Sequence, residues 1–156
     1  MVAISVYNVF LAAHVLAAVA WVGGGATLTL LAFLTAREHD PVQMVSFAKR
    51  AAFCGQYLYS PASLIVLAFG LAMVERGNWG FDHFWVQFGL AAWAASFLVG
   101  MLFLGPQSAK LSKLMTERPA EDADVQERIG RILLVARFDI LLLLLVVIDM
   151  TTKPFS

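Results

Sequence analysis

The stretch that decides the fold is VYNVFLAAHVLAAVAWVGGGATLTLLAFLT, residues 6–35, which contains no Asp, Glu, Lys or Arg. A helix crosses the hydrocarbon core of a bilayer with about 20 apolar residues, whereas the apolar region of a secretory signal peptide has only about 7–15. No Lys or Arg precedes Arg37, so the basic start that is typical of a signal peptide is missing too. We therefore interpret residues 6–35 as a membrane-spanning helix.

The rest of the chain is also rich in hydrophobic residues and poor in charged ones. Of its 156 residues, 60% are hydrophobic and 14% are charged, and the mean hydropathy is +0.77, whereas roughly 25% of residues are charged in soluble proteins. Three further apolar runs, residues 52–74, 84–104 and 132–150, show no alternating pattern, which favours helices over barrel strands. Short connections between antiparallel helices predict one domain over residues 1–156, an all-α integral membrane four-helix bundle.

The basic residues predict the orientation. The connections at 36–51 and 105–131 carry Arg37, Lys49, Arg50, Lys110, Lys113, Arg118, Arg128 and Arg131, while the other side has only Arg76 and Lys153. Since Lys and Arg accumulate in cytoplasmic loops, both connections are predicted to be cytosolic and both termini to lie on the non-cytoplasmic side. Asp40 and Pro41 predict a helix start within the first connection, and the last helix is expected to begin outside the membrane, after Pro119.

Charge and cysteine content exclude some classes of partner and bond. Eleven basic and eleven acidic residues cancel, so no net field attracts nucleic acid, and the single cysteine, Cys54, excludes an internal disulfide. The expected partners are the lipid bilayer and a second copy or another membrane protein. Small residues let transmembrane helices pack closely, and the first and third runs supply many of them. They are Ala12, Ala13, Ala17, Ala18, Ala20, Gly23, Gly24 and Gly25 in the first run and Gly89, Ala91, Ala92, Ala94, Ala95, Ser96 and Gly100 in the third.

A few polar residues lie inside the apolar runs and are the candidate functional groups. Ionisable residues within a membrane are costly and are functional by default. His14 shares a helical stripe with Ala18, Trp21 and Gly25. At 1.5 Å per residue, His14 lies about 12 Å and Asp139 about 16 Å below the same boundary. This match predicts a hydrogen bond between them; the alternative is a core histidine that is merely hydrogen-bonded.

Two other expectations concern the second apolar run, residues 52–74, and the partner that it offers to Arg137 of the fourth run. Arg137 lies about 200° around the helix from Asp139, so we expect it to meet Gln56 and Tyr57 or to extend toward the cytosol. Pro61 is expected to kink the second helix, with Ser60 or Ser63 satisfying a freed carbonyl group.

The pattern HxxxxxxWxGG at 14–24 and the closing DMTTKPF at 149–155 carry a family resemblance. The chain resembles small four-helix proteins of the bacterial inner (cytoplasmic) membrane: the CopD copper-resistance domain, the HemJ protoporphyrinogen oxidase family and relatives of unknown function. The residues concerned are His14, Trp21, Gly23, Gly24, Lys153 and Pro154. In the HemJ family the histidine of the first helix serves haem, which implies that role for His14. The chain departs from that family in having no lysine inside the third run.

These observations leave two functional hypotheses. The first is a haem-b-binding or redox-linked membrane protein with His14 as axial ligand, and with Trp21, Arg137 and Asp139 as further cofactor-binding residues. The second is a non-enzymatic membrane module, either a copper-translocating component with His14 as metal ligand or an accessory subunit that packs through its glycines. A haem held by two histidines of one chain is excluded, because His14 is the one histidine within a run.

Overall fold

The computed structural model describes residues 5–38, 40–77, 79–119 and 121–154 and shows four antiparallel helices. Three of them are long and apolar enough to cross a membrane, and the fourth has 30 residues but carries Arg137, Asp139 and Asp149 in its apolar part. The all-helical architecture predicted from the sequence is thus confirmed. The extreme chain ends, for which a non-cytoplasmic location is predicted, lie outside the described residues. We name the helices α1 (Val6–Glu38), α2 (41–76), α3 (Phe84–Glu117) and α4 (Ala123–Thr152).

The helices are longer than the apolar runs, so the predicted connections at 36–51 and 105–131 are largely helical. Charged residues do not break a helix, and the backbone continues until a capping residue stops it. Asp40 confirms the predicted start of α2: its Oδ1 accepts hydrogen bonds from the backbone N–H groups of Val42 (2.9 Å) and Gln43 (3.3 Å). Its Oδ2 accepts a third from the Gln43 side chain. Those hydrogen bonds, first from the Gln43 side chain and then from the two N–H groups, lower the pKa of Asp40.

Each end of the bundle has its own packed core. We call the end where α1 turns into α2 and α3 into α4 the basic end, and the opposite one the terminal end. The core at the basic end joins α2, α3 and α4 outside the apolar runs, and Val125 within it is completely buried. The core at the terminal end centres on Trp85. The basic-end core contains Met44, Leu111, Met115, Val125 and Ile129, and the terminal-end core contains Val74, Trp85 and Val86.

Between the two cores the helices expose large apolar side chains outward and pack through small ones. On α3 the buried residues Trp85, Gly89, Ala92 and Ser96 form one helical stripe. Three of the small residues predicted to pack are therefore buried, whereas Ala91 is exposed and a Cβ atom on Gly100 would meet nothing within 4 Å. Gly89 is covered by the methyl group of Met150. Each helix packs on its neighbours in the chain, α1 on α2, α2 on α3 and α3 on α4, and the second half of α1 closes the bundle against α4.

The three consecutive glycines of α1 do not share one packing role. A Cβ atom on Gly24 would lie 2.5 Å from the Tyr59 ring of α2, whereas one on Gly25 would be 3.7 Å from Ile140 of α4. A Cβ on Gly23 would meet nothing within 4 Å. The prediction that all three glycines permit close approach is therefore wrong for Gly23, which is exposed, and strongest for Gly24.

A π-helical turn interrupts each of the first three helices, at Val19–Gly23, Gly55–Tyr59 and Val99–Leu104. A π-turn inserts an extra residue into the helical repeat, so positions on its two sides no longer share a face. The stripe predicted from His14 to Gly25 is broken for this reason, because it runs through the first of these turns. His14 lies against α2, and Gly25 faces α4.

We predict that Gly24→Leu destabilises the bundle and Gly23→Leu does not. The leucine at 24 must displace the Tyr59 ring and separate α1 from α2, whereas the leucine at 23 enters open space. Overpacking of this kind costs about 1–3 kcal/mol. Thermal unfolding of the two variants in the same detergent measures the difference, and equal stabilities would contradict the assigned contact.

Candidate functional site

His14 is fixed by a backbone carbonyl of the neighbouring helix. Its Nδ1 lies 2.8 Å from the carbonyl oxygen of Val66 in α2. Because a carbonyl oxygen only accepts hydrogen bonds, Nδ1 must carry the proton and donate it. In the neutral ring, Nε2 then presents a lone pair that can bind a metal or a proton.

The ring lies flush against α2 because Gly70 offers no side chain. A Cβ atom at Gly70 would come within 3.1 Å of Cε1 and 3.3 Å of Nδ1 of His14. One turn toward the terminal end, Phe10 packs against Phe69 with ring centroids 5.4 Å apart. The imidazole therefore has a defined position and orientation between α1 and α2.

The next turn of α2 receives a second side chain, this time from α3. Trp93 Nε1 donates to the carbonyl oxygen of Ser63 at 2.9 Å, and Ser63 is almost completely buried. Its own hydroxyl donates to the carbonyl oxygen of Ser60. Consequently α2 is tied to α1 and to α3 by carbonyl groups three residues apart, at Ser63 and Val66.

Asp139 faces α3 and not His14. Its carboxyl group interacts with the side chain of Ser96, although the geometry is not that of a well-formed hydrogen bond. Ser96 Oγ and Asp139 Oδ1 are both buried without a hydrogen-bond partner within the described residues. The unsatisfied carboxylate oxygen can accept a proton or a donor group of a ligand, since an isolated buried carboxylate is otherwise costly.

Three polar contacts between neighbouring helices lie within the apolar part of the bundle, and we call their residues the intramembrane polar layer: His14 and Val66, Trp93 and Ser63, and Ser96 and Asp139. The similarity in depth predicted for His14 and Asp139 is wrong, because Ile140, next to Asp139, lies beside Gly25, which is about 16 Å along α1 from His14 at 1.5 Å per residue. The hydrogen bond predicted between them is wrong as well, because His14 Nδ1 lies against the Val66 carbonyl and Asp139 lies against Ser96 of α3. The depth estimate depended on where each span was assumed to begin, and it carried no information on which neighbour each side chain faces.

The other predicted site residues lie elsewhere. Arg137 is exposed on α4, with its guanidinium group 5.1 Å from the centre of the Phe33 ring of α1. It therefore does not join Gln56 and Tyr57, which are exposed on α2. Trp21 is half-buried within the π-turn of α1. The predicted cofactor-binding set of His14, Trp21, Arg137 and Asp139 is thus distributed over different contacts of the bundle.

Lys153 of the closing motif holds the end of α4 in place at the terminal end of the bundle. Lys153 ends α4 in a left-handed conformation with φ of 44°. Its ammonium group lies 4.3 Å from the ring centre of Trp79 and 5.2 Å from that of Trp85. Such cation–π contacts tie the end of α4 to the segment between α2 and α3.

Comparison with known proteins places the chain in a family. The family described as "Predicted integral membrane protein (DUF2269)" matches residues 8–154. The chain belongs to this family. No curated protein and no solved structure matches the sequence. Within the part of the chain that the structure describes, no group of three or more His, Cys, Asp or Glu side chains is placed to hold a metal ion.

Sequence reasoning missed the residues that orient the polar groups. Gly70 is isolated from Gly55, the other glycine of the second apolar run, and Trp93 is an indole deep inside a span whose N–H needs an acceptor. Both were recognisable as signals, because an isolated glycine and a mid-membrane tryptophan each require an explanation. Their partners, His14 and the Ser63 carbonyl group, depend on how the helices are rotated, and that rotation is not encoded by spacing.

We predict that the polar layer consists of separate pairs. In a double-mutant cycle, Ser96→Ala and Asp139→Asn should couple by about 0.6 kcal/mol, the average for polar pairs between membrane helices. His14→Ala and Asp139→Asn should be additive within about 0.3–0.5 kcal/mol, since they share no contact. Unfolding free energies in detergent measure both cycles, and a larger coupling for the second cycle would contradict the assignment.

Proposed function

We propose that this integral membrane protein binds haem b, with Nε2 of His14 as an axial ligand. The observation that carries the proposal is the hydrogen bond from His14 Nδ1 to the Val66 carbonyl oxygen. Histidines that bind metals almost always donate their second ring N–H to a carbonyl or carboxylate group, which fixes the ring and raises its basicity. His14 has this arrangement.

The surroundings of His14 support the same role. Gly70 leaves the space in which the ring lies against α2, and the Phe10–Phe69 pair supplies apolar surface next to it. When bound, haem would supply one-electron chemistry tuned by its axial ligand and its environment. The chain's own contribution is the orientation of the imidazole, its protonation at Nδ1 and the exclusion of water by apolar neighbours.

The proposal retains His14 and drops the other residues first expected to bind the cofactor. Trp21, Arg137 and Asp139 have no contact with His14 among those found in the structure. Because His14 supplies one axial ligand, the opposite position would be open or filled by a second copy or by another membrane protein. Oligomeric state is therefore part of what must be measured.

The test is a visible spectrum with metal analysis of the protein purified from membranes in a mild detergent. We expect a Soret band and about one haem per chain or per assembly. His14→Ala should abolish it, because the axial ligand is lost, and added imidazole should partly restore it in His14→Gly. Gly70→Ala should weaken haem retention by displacing the ring.

His83→Ala is the matched control, since His83 lies at the terminal end, stacked on Trp85, and away from the polar layer. This variant should keep the spectrum of the parent protein. A haem-loaded, well-folded His14→Ala protein would overturn the ligand assignment. Bound copper without a Soret band would favour copper handling, and a cofactor-free protein in a stable complex would favour the accessory-subunit hypothesis.

A further inference from the structure

Two arginines from different helices converge on one aromatic ring near the basic end. The guanidinium carbon of Arg37 lies 4.5 Å and that of Arg137 5.1 Å from the centre of the Phe33 ring. Arg37 belongs to the last turn of α1, and Arg137 lies in the half of α4 nearer the basic end. The Phe33 ring is therefore contacted by one guanidinium group from its own helix and one from α4.

A groove leads from Arg137 into the apolar middle of the bundle, and Arg37 lies next to its Phe33 end without lining it. It has a volume of about 390 Å³ and is lined on α1 by Ala26, Thr29, Leu30 and Phe33 and on α4 by Arg137, Ile140 and Leu144. This volume is within the range of small-molecule sites, about 300–1,000 Å³. Seven residues of each helix separate its two ends, which corresponds to about 10 Å at 1.5 Å per residue.

The polarity of the groove changes along its length. Arg137 and Phe33 lie toward the basic end, whereas Ala26 and Leu144 lie deeper and are surrounded by apolar side chains. Thr29 does not add a free polar group, because its hydroxyl donates to the carbonyl oxygen of Gly25. One end of the groove is thus cationic and the rest is apolar.

Arg137 lies where an anion would stabilise it. It is exposed on a membrane helix and forms no ion pair among the described residues. A charged side chain facing hydrocarbon is costly unless it reaches a counter-charge or the interface. Contact with the Phe33 ring stabilises the guanidinium cation of Arg137 but does not neutralise its charge.

We propose that the groove between α1 and α4 binds an anionic phospholipid. The phosphate group is held by Arg37 and Arg137, and an acyl chain follows the apolar part of the groove toward Ala26 and Leu144. Basic pockets between transmembrane helices on the positively charged side recognise anionic headgroups in this manner. A phospholipid matches the groove because its charged and apolar parts are arranged in the same order. The site is separate from the polar layer around His14.

Native mass spectrometry of the purified protein tests the proposal. The protein is equilibrated with equal amounts of phosphatidylglycerol and phosphatidylcholine that have the same acyl chains. We expect one phosphatidylglycerol retained per chain, with at least about a fivefold preference over phosphatidylcholine. Arg137→Gln and Arg37→Gln should each abolish that preference, because the remaining arginine alone is a weaker anion site. Ala26→Leu should lower retention of both lipids by filling the groove.

Arg50→Gln is the matched control, since Arg50 is exposed at the basic end of α2 and does not line the groove. It should retain phosphatidylglycerol like the parent protein. Equal retention by Arg137→Gln and the parent would overturn the proposal, as would displacement of the lipid by millimolar inorganic phosphate. A stable dimer that loses the lipid preference and is dissociated by Arg137→Gln would assign the groove to a second copy instead. If Arg137→Gln fails to fold, Arg37→Gln and Ala26→Leu give the same readout.

Discussion

The bundle depends on satisfying polar groups inside an apolar environment where water does not compete. The carbonyl groups of α2 do much of this work, because a helical carbonyl oxygen can accept a second hydrogen bond besides the one in its own helix. Val66 accepts from His14 and Ser63 accepts from Trp93. These two bonds tie α1 and α3 to α2 and set the rotation of both helices. That rotation determines how α1 presents His14 and how α3 presents Trp93.

Proline and glycine determine where the helices deviate from regularity. Pro61 and Pro106 each lack an N–H group and would clash with the carbonyl group four residues earlier. A π-turn precedes each of them. Before Pro61, the hydroxyl of Ser60 donates to the carbonyl oxygen of Gly55 at 2.9 Å. That carbonyl also accepts the backbone N–H of Ser60, so it is not the carbonyl group that Pro61 leaves without a donor. The π-turns of α1 and α2 contact each other, and α4 contacts those of α1 and α3.

The two proposals occupy different halves of the molecule. The imidazole of His14 lies in the half nearer the terminal end, where α1 packs on α2, and the arginine groove lies in the half nearer the basic end, between α1 and α4. The π-turn of α1 at Val19–Gly23 separates the two regions. By changing the phase of the helix, this turn lets one helix present His14 to α2 and Phe33 to α4. In an uninterrupted α-helix, the angle around the helix axis between His14 and Phe33 would be different.

The sequence by itself determined the helical membrane architecture, since runs such as residues 6–35 can satisfy their backbone in lipid only as helices. It also determined the start of α2 at Asp40 and Pro41, because capping is a local interaction. Only the tertiary structure decided that His14 meets Val66, that Asp139 faces Ser96 and that Arg137 joins Arg37 at Phe33. These contacts depend on how each helix is rotated about its own axis. A π-turn changes that rotation by one residue, and close packing at Gly24 and Gly70 then fixes it.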